Sequence, residues 1–228
     1  MALLGDPAVG KTALLTKYLT GRFDPQTRPT LVIDVNRKTE YFQDIDATVK
    51  LVIWDTAGQE RYDSMTLLSK CMRCLDAAIV VGSVDQIESM RHISVWRDRI
   101  KEMAPPSTIW YAVANKVDVD ECSAQVDPQS VPARNLIEGT EIAHLSGIAD
   151  FRCTSALTGD GVVDLFRSVA RSLVTRQIAF AAHAAPDVIE FEEGEGEYEE
   201  DEGALTLDQR DLLRRVLEER RRSAFSLC

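Results

Sequence analysis

Eight residues near the start of the chain, Gly5-Asp6-Pro7-Ala8-Val9-Gly10-Lys11-Thr12, constrain its fold more than any other stretch. They satisfy G-x-x-x-x-G-K-[ST] at every fixed position. The apolar run Met1-Ala2-Leu3-Leu4 leads in, and the helical run Ala13-Leu14-Leu15-Thr16-Lys17-Tyr18-Leu19 leads out. A strand, a glycine-bearing loop and a helix in that order gather backbone N–H groups and a helix N-terminus around one point, which suits a polyphosphate. Gly5, Asp6, Ala8, Val9 and Gly10 would form the cradle. Lys11 would reach the β- and γ-phosphates of a nucleoside triphosphate, and the Thr12 hydroxyl would bind Mg²⁺. The lead-in is short for a first strand, which points to a trimmed start. The loop does not choose the base.

Three later segments narrow the choice. Trp54-Asp55-Thr56-Ala57-Gly58-Gln59-Glu60 ends the apolar run Val49–Ile53. A strand ending in Asp55 can bring a carboxylate near Mg²⁺, usually through a water, and Gly58 lets a backbone N–H approach the γ-phosphate with no Cβ in the way. Asn115-Lys116-Val117-Asp118 follows the apolar run Ile109–Ala114. The Asp118 carboxylate can accept both the N1–H and the exocyclic N2–H of guanine. Adenine lacks that paired edge, and sites built to bond a polar edge reject such analogues by roughly 10⁴–10⁵. The aliphatic stem of Lys116 can lie over the base. Cys153-Thr154-Ser155-Ala156 follows a short strand-like run and offers backbone N–H groups, at Thr154, Ser155 and Ala156, to the guanine carbonyl. Each segment alone also reads as an ordinary polar turn after a strand; their order and spacing do not.

From residue 1 to about 180 the chain resembles the Ras-superfamily small GTPases, and most closely the Rab branch with its atypical Rab-like members. The resemblance is carried by GDPAVGKT (5–12), Thr30, WDTAGQE (54–60) with Arg61-Tyr62-Asp63-Ser64-Met65-Thr66, NKVD (115–118) and CTSA (153–156). It implies the small G-protein form of the P-loop NTPase fold and GTP hydrolysis to GDP and phosphate. It implies a GTP/GDP switch in vesicle or ciliary trafficking, with an exchange factor, an activating protein and effectors meeting two switch regions. Lys11, Thr30 and Gln59 would be the catalytic residues, with Gln59 orienting the attacking water. Thr12, Thr30 and Asp55 would hold Mg²⁺, and Thr30 would close over it only in the GTP state. Intrinsic turnover is expected on the order of 10⁻⁴–10⁻² s⁻¹, since no arginine is placed as an internal finger. Phe23 stands where the family often sets an aromatic against guanine; it reads equally well as a core aromatic capping the first helix.

The chain also departs from that pattern. Pro7 and Ala8 stand where many relatives carry a small residue or glycine beside the γ-phosphate, and a ring at position 7 would hinder an arginine finger. Thr30-Leu31-Val32-Ile33-Asp34-Val35 replaces T-I-G-V-D-F, and the Tyr-Tyr-Arg that often follows the second switch is absent from Leu67-Leu68-Ser69-Lys70. The switch departures lie on effector-contacting surfaces, so known Rab effectors do not carry over. Pro7 and Ala8 keep a second reading open, against Gln59: a nucleotide-locked scaffold with little hydrolysis that recruits partners through its C-terminal helix. A P-loop ATPase or kinase is disfavoured by Asp118.

Apolar runs predict strands near 1–5, 31–42, 47–54, 77–84, 108–115 and 149–154. Helices are expected near 11–20, 61–73, 88–104, 129–146 and 161–182. Alternation of the two implies an α/β fold, a six-stranded, mostly parallel sheet with helices on both faces. The hairpin 31–54 adds an antiparallel edge. All four motif loops then fall at the carboxyl ends of strands.

Residues 1–182 make the nucleotide-binding domain, 183–204 an acidic linker and 205–228 a helical tail. The net charge is −11, yet residues 187–228 alone carry 14 acidic and 6 basic residues. The run Glu190–Glu202 should stay extended when free, as a solubilising linker or a docking site for a basic partner, and it argues against nucleic acid. Leu212, Leu213, Val216 and Leu217 at helical spacing, with a Thr206/Gln209 capping box and Arg220-Arg221-Arg222, predict a helix near 206–222. It folds back on the domain or, as slightly favoured, binds a partner.

Five cysteines, an odd number with no secretion signal, point to a reducing cytoplasmic setting, peripheral at most to a membrane or cilium. Cys71-Met72-Arg73-Cys74 lacks a second pair for zinc and reads as helical burial. No apolar run approaches a membrane span. The lone Cys228 is one residue where Rabs usually end in two prenylatable cysteines, and a C-a-a-X site would need it at Phe225, so a mostly soluble protein is expected.

Overall fold

The computed structural model describes residues 1–26, 30, 33–56, 72–119, 131–148 and 150–184. Six strands form one sheet: β1 (Ala2–Leu4), β2 (Asp34–Phe42), β3 (Ala47–Asp55), β4 (Ala77–Ser83), β5 (Ile109–Asn115) and β6 (Asp150–Cys153). Their order is β2-β3-β1-β4-β5-β6. Every neighbouring pair is parallel except β2 with β3, which pair antiparallel from Asp34↔Asp55 to Phe42↔Ala47. The described helices are α1 (Lys11–Thr20), α2 (Ile87–Lys101), α3 (Val131–Leu145) and α4 (Val162–Ala184). The expected α/β architecture is therefore present. The predicted helices near 61–73, save its end, and 206–222 lie outside the described residues, as does the acidic run.

Period-two alternation sorts the central strands between two cores. Leu3, Ile79, Val81, Tyr111 and Val113 face α1 and α4, where they meet Leu14, Leu15, Tyr18, Leu165 and Phe166. Ala2, Leu4, Ala78, Val80, Ala112 and Ala114 face the other way, onto Met90, Ile93, Trp96 and Ile100 of α2 and Ala143 of α3. Four alanines on that second face bring α2 close to the sheet, so its large side chains supply the volume. β4 is buried on both faces along its whole length, as a central parallel strand must be. Each large apolar side chain fully buried in these layers contributes about 1.5–3 kcal/mol relative to exposure.

β2 is the sheet's edge. It begins at Asp34 rather than at 31, and charged residues Asp34, Arg37 and Lys38 along it guard the unpaired side. It is fastened to the body by Glu40, only 8% exposed. Glu40 accepts from Tyr18 Oη at 2.8 Å and from Arg167 at 2.8 Å, and Tyr18 stacks on Phe166 with ring centroids 4.1 Å apart. Burial, then the Glu40 carboxylate, push the Tyr18 hydroxyl well above its ordinary range. The hairpin turns through a short 3₁₀ segment, Gln43–Ile45, with Asp46 left-handed at φ 43°.

One expectation about the cysteines fails. Cys74 is exposed in the turn that follows Met72, which is itself fully buried, so the expected helical burial is not met at Cys74; Cys71 lies outside the described residues. Among the described residues no helix is long and apolar enough to cross a membrane.

Candidate functional site

The carboxyl ends of β1, β3, β5 and β6 lie at one edge of the sheet, and the described parts of the four motifs meet there. Gly5 leaves β1 at φ +134°, and a Cβ there would lie 2.1 Å from the Val81 carbonyl oxygen of β4. Gly10 closes the loop at φ +96° as the cap of α1. No side chain caps that helix and its first turn holds no acid, so the first-turn N–H groups and the positive end of the dipole face the loop. This is the arrangement that receives phosphate. Ala8 takes φ +61° with a Cβ present, a strain on the order of 1 kcal/mol held inside the loop.

Lys11 is 5% exposed, and its ammonium donates to the carbonyls of Gly5 at 2.7 Å and Asp6 at 2.8 Å. Burial lowers its pKa to about 8, against the pull of Asp55 and Asp6. A buried cation with only neutral oxygens in contact is under-compensated, and a phosphate would correct that.

Three oxygen donors meet beside it. Thr12 Oγ1 donates to Asp55 Oδ2 at 2.5 Å and lies 2.7 Å from Thr30 Oγ1, which is itself 3.4 Å from Asp55 Oδ2. Asp55 Oδ1 is buried with no hydrogen-bond partner among the described residues. Burial raises the Asp55 pKa above the ordinary carboxylate value. An all-oxygen set containing a buried, half-unpaired carboxylate fits a hard divalent cation. Thr56, next in the chain, donates through Oγ1 to the Leu3 carbonyl at 2.7 Å and so locks the end of β3 to β1. Gly58 and Gln59 lie outside the described residues.

The base-side residues form one network. Asn115 is fully buried. Its Nδ2 donates to the Val9 carbonyl at 2.9 Å, and its Oδ1 accepts from Thr154 Oγ1 at 3.1 Å and the Ala156 N–H at 3.3 Å. The half-buried Asp118 sits in a 3₁₀ turn, Val117–Val119, and accepts a hydrogen bond from Ser155 Oγ. Lys116 is left-handed at φ 63°, with its Nζ 3.1 Å from Asp85 Oδ2. Of the three N–H groups expected for the guanine carbonyl, that of Thr154 bonds Ala114 O at 2.8 Å and that of Ser155 bonds Asp160 O at 3.0 Å. These two point into the protein, because one extends the β5–β6 ladder and the other closes a turn. Only Ala156 makes the long contact that a base would compete for.

Phe23 is half-buried against the α1/α4 core, two residues past the helix-ending Gly21. Sequence reasoning missed four residues that support the site. Trp96 Nε1 donates to Asp6 Oδ1 at 2.8 Å, and His92 Nδ1 lies 2.6 Å from Asp6 Oδ2. Asp85 steers Lys116 and accepts from Ser83 Oγ at 2.5 Å. Thr56 is the fourth. The His92–Trp96 spacing of four on one helix was a readable signal; nothing in sequence joined it to residue 6.

With this geometry in view, the comparisons with known proteins are specific. A family model described as "Ras family" matches residues 1–175. The Ras-related protein Rab-4 of Dictyostelium discoideum is 33% identical over 174 residues, covering 76% of this chain and 78% of the relative.

Proposed function

Because the chain belongs to the Ras family of small GTPases, Rab-like within it, we propose that it acts as a GTP/GDP switch in intracellular trafficking. Family members hydrolyse GTP to GDP and phosphate, bind guanine nucleotide with Mg²⁺, and answer to regulators and effectors. This chain is a GTPase by that membership. The observation that carries the switch reading is the contact of Thr30 with the Thr12–Asp55 pair. Thr30 stands in the stretch between α1 and β2, 18 residues from Thr12, so a bond there ties a connecting segment to the phosphate loop. In the switch pattern a segment tied at this point is released when the γ-phosphate leaves.

In this reading Thr12, Thr30 and Asp55 would hold Mg²⁺, and the ion would supply charge neutralisation for the phosphates. Lys11 adds a second positive charge on the same phosphates. The α1 N-terminus and the Gly10 backbone orient them. Asp118, held by Ser155, selects guanine, and Gln59 orients the water. Trafficking rather than another switch role is supported by the Rab likeness, and a cytosolic location with at most peripheral membrane contact is part of the same proposal.

The test is the nucleotide carried by freshly purified protein, followed by phosphate release from added GTP. Bound GDP, with Mg²⁺-dependent release on the order of 10⁻⁴–10⁻² s⁻¹ that falls in Gln59→Leu, is the expected result. Bound GTP that persists through purification would sink the cycling switch and leave a locked scaffold. Bound ADP or ATP would sink the guanine assignment.

A further inference from the structure

Asp6 is the second residue of the phosphate loop, yet its side chain points out of the loop and onto α2. Both carboxylate oxygens are engaged there, Oδ1 by the Trp96 indole N–H at 2.8 Å and Oδ2 by His92 Nδ1 at 2.6 Å. His92 and Trp96 stand four apart on one face of α2. Trp96 is 5% exposed and sits in the core with Met90, Ile93 and Ile100, so its indole N–H is a fixed donor. The backbone of the same Asp6 supplies one of the two carbonyls that receive the Lys11 ammonium, at 2.8 Å. The Asp6 charge also acts directly on Lys11. One residue thus joins a helix on one side of the sheet to the cation that meets phosphate.

We infer that Trp96 and His92 are positioning residues for phosphate binding, holding Asp6 so that its carbonyl aims the Lys11 ammonium. The inference rests on the GTP/GDP reading above. Charge-assisted hydrogen bonds are the strong class, and two of them on one carboxylate fix its orientation as well as its place. Neither side chain needs to approach nucleotide. The effect on phosphate runs through Asp6 and vanishes when Asp6 cannot accept.

The experiment is release of a fluorescent GDP analogue, and of its GTP counterpart, from the full chain with Mg²⁺ present. The variants are Trp96→Phe, His92→Ala, Asp6→Ala and Asp6→Asn, with the first two also made in the Asp6→Ala background. Trp96→Phe keeps an aromatic side chain, though a smaller one, and loses the donor; it should speed release of both nucleotides about tenfold, the scale of one hydrogen bond to a charged group. His92→Ala should speed it about threefold, its bond being half-exposed. In the Asp6→Ala background neither should add anything, because the acceptor is gone. Asp6→Asn keeps an acceptor oxygen for Trp96 and should restore most of the loss seen in Asp6→Ala. Wild-type release rates in Trp96→Phe and His92→Ala would overturn the inference, as would acceleration of equal size in both backgrounds, which marks a packing role. Should Trp96→Phe not fold, His92→Ala and the Asp6 pair decide the matter alone, since the His92 side chain is 46% exposed. A wild-type chain that binds neither analogue overturns the GTP/GDP reading itself, and does so before any variant is made.

Discussion

Asn115 donates to the Val9 carbonyl at 2.9 Å, a bond that spans 106 residues of sequence and fastens the base side of the site to the phosphate side. Its other face accepts from Thr154 and Ala156, so one fully buried amide joins three of the four motif loops. Asn115→Ala leaves the Val9 carbonyl and the Thr154 hydroxyl without partners. Each orphaned group costs about 1–3 kcal/mol. A loss of about 2–4 kcal/mol in urea unfolding is expected, with GDP release at least tenfold faster. Asn115→Asp should be worse for release than for folding, since it sets a carboxylate against the Val9 carbonyl; equal effects would contradict the proposed tie between the loops.

The same amide explains a glycine. A Cβ on Gly10 would lie 2.4 Å from Asn115 Nδ2, and φ there is +96°. Gly10→Ala must displace the side chain that links the loops and hold a strained backbone as well. Loss of detectable GDP binding by calorimetry is expected, and a wild-type affinity would show that the loop relaxes more freely than this packing allows.

Lys11 predicts a proton linkage. Its pKa is lowered by burial to about 8 from an ordinary value near 10.5. Between those values the unfolded chain holds a proton that the folded chain has shed, so stability of the nucleotide-free protein rises with pH across that window. At pH 7 the lysine is charged in both states and the burial penalty, on the order of 3 kcal/mol, is fully present. Phosphates beside Lys11 favour the charged form, so GDP binding near pH 9 takes up a proton and binding near pH 6.5 does not. Titration calorimetry in buffers of different ionisation enthalpy reads this directly; equal heats across buffers at pH 9 would mean that Lys11 keeps its proton in the empty site.

Much of this was legible in sequence because it is local. Continuous apolar runs marked the strands from Ala77 and Ile109 to within a residue or two, and glycines marked the loop that only glycine can close. Ile33 was read into β2 because it is as apolar as a strand residue, yet the described pairing with β3 begins at Asp34↔Asp55; Leu31 and Val32 lie outside the described residues. The contacts of Asp6 with His92 and Trp96, of Asp85 with Lys116 and of Glu40 with Arg167 were not legible. Each joins side chains 31 to 127 positions apart, and no periodicity encodes which helix face meets which loop. The exposure of Cys74 was misread for a related reason, because the spacing gives a helix face but not where the helix ends.

Met90 makes the last case, where two packing effects oppose a propensity. Its side chain is fully buried between β4 and α3. A Cβ at Gly139 would lie 2.1 Å from Met90 Cε, and one at Gly82 would lie 2.6 Å from Met90 Sδ. Gly139 stands inside α3, where glycine is about 1 kcal/mol less favourable than alanine. With the methionine in place, Gly139→Ala gains that propensity but forces a side chain that Gly82 pins from the other side, and overpacking of this kind costs about 1–3 kcal/mol. A net loss is expected. In Met90→Ala, itself about 2–5 kcal/mol less stable, the space is open and Gly139→Ala should stabilise by about 1 kcal/mol. Urea midpoints at constant m-value measure both steps. A sign reversal between the two backgrounds ties the helix glycine to Met90, whereas the same sign in both would show that the methionine tip moves aside and that Gly139 is held by something else.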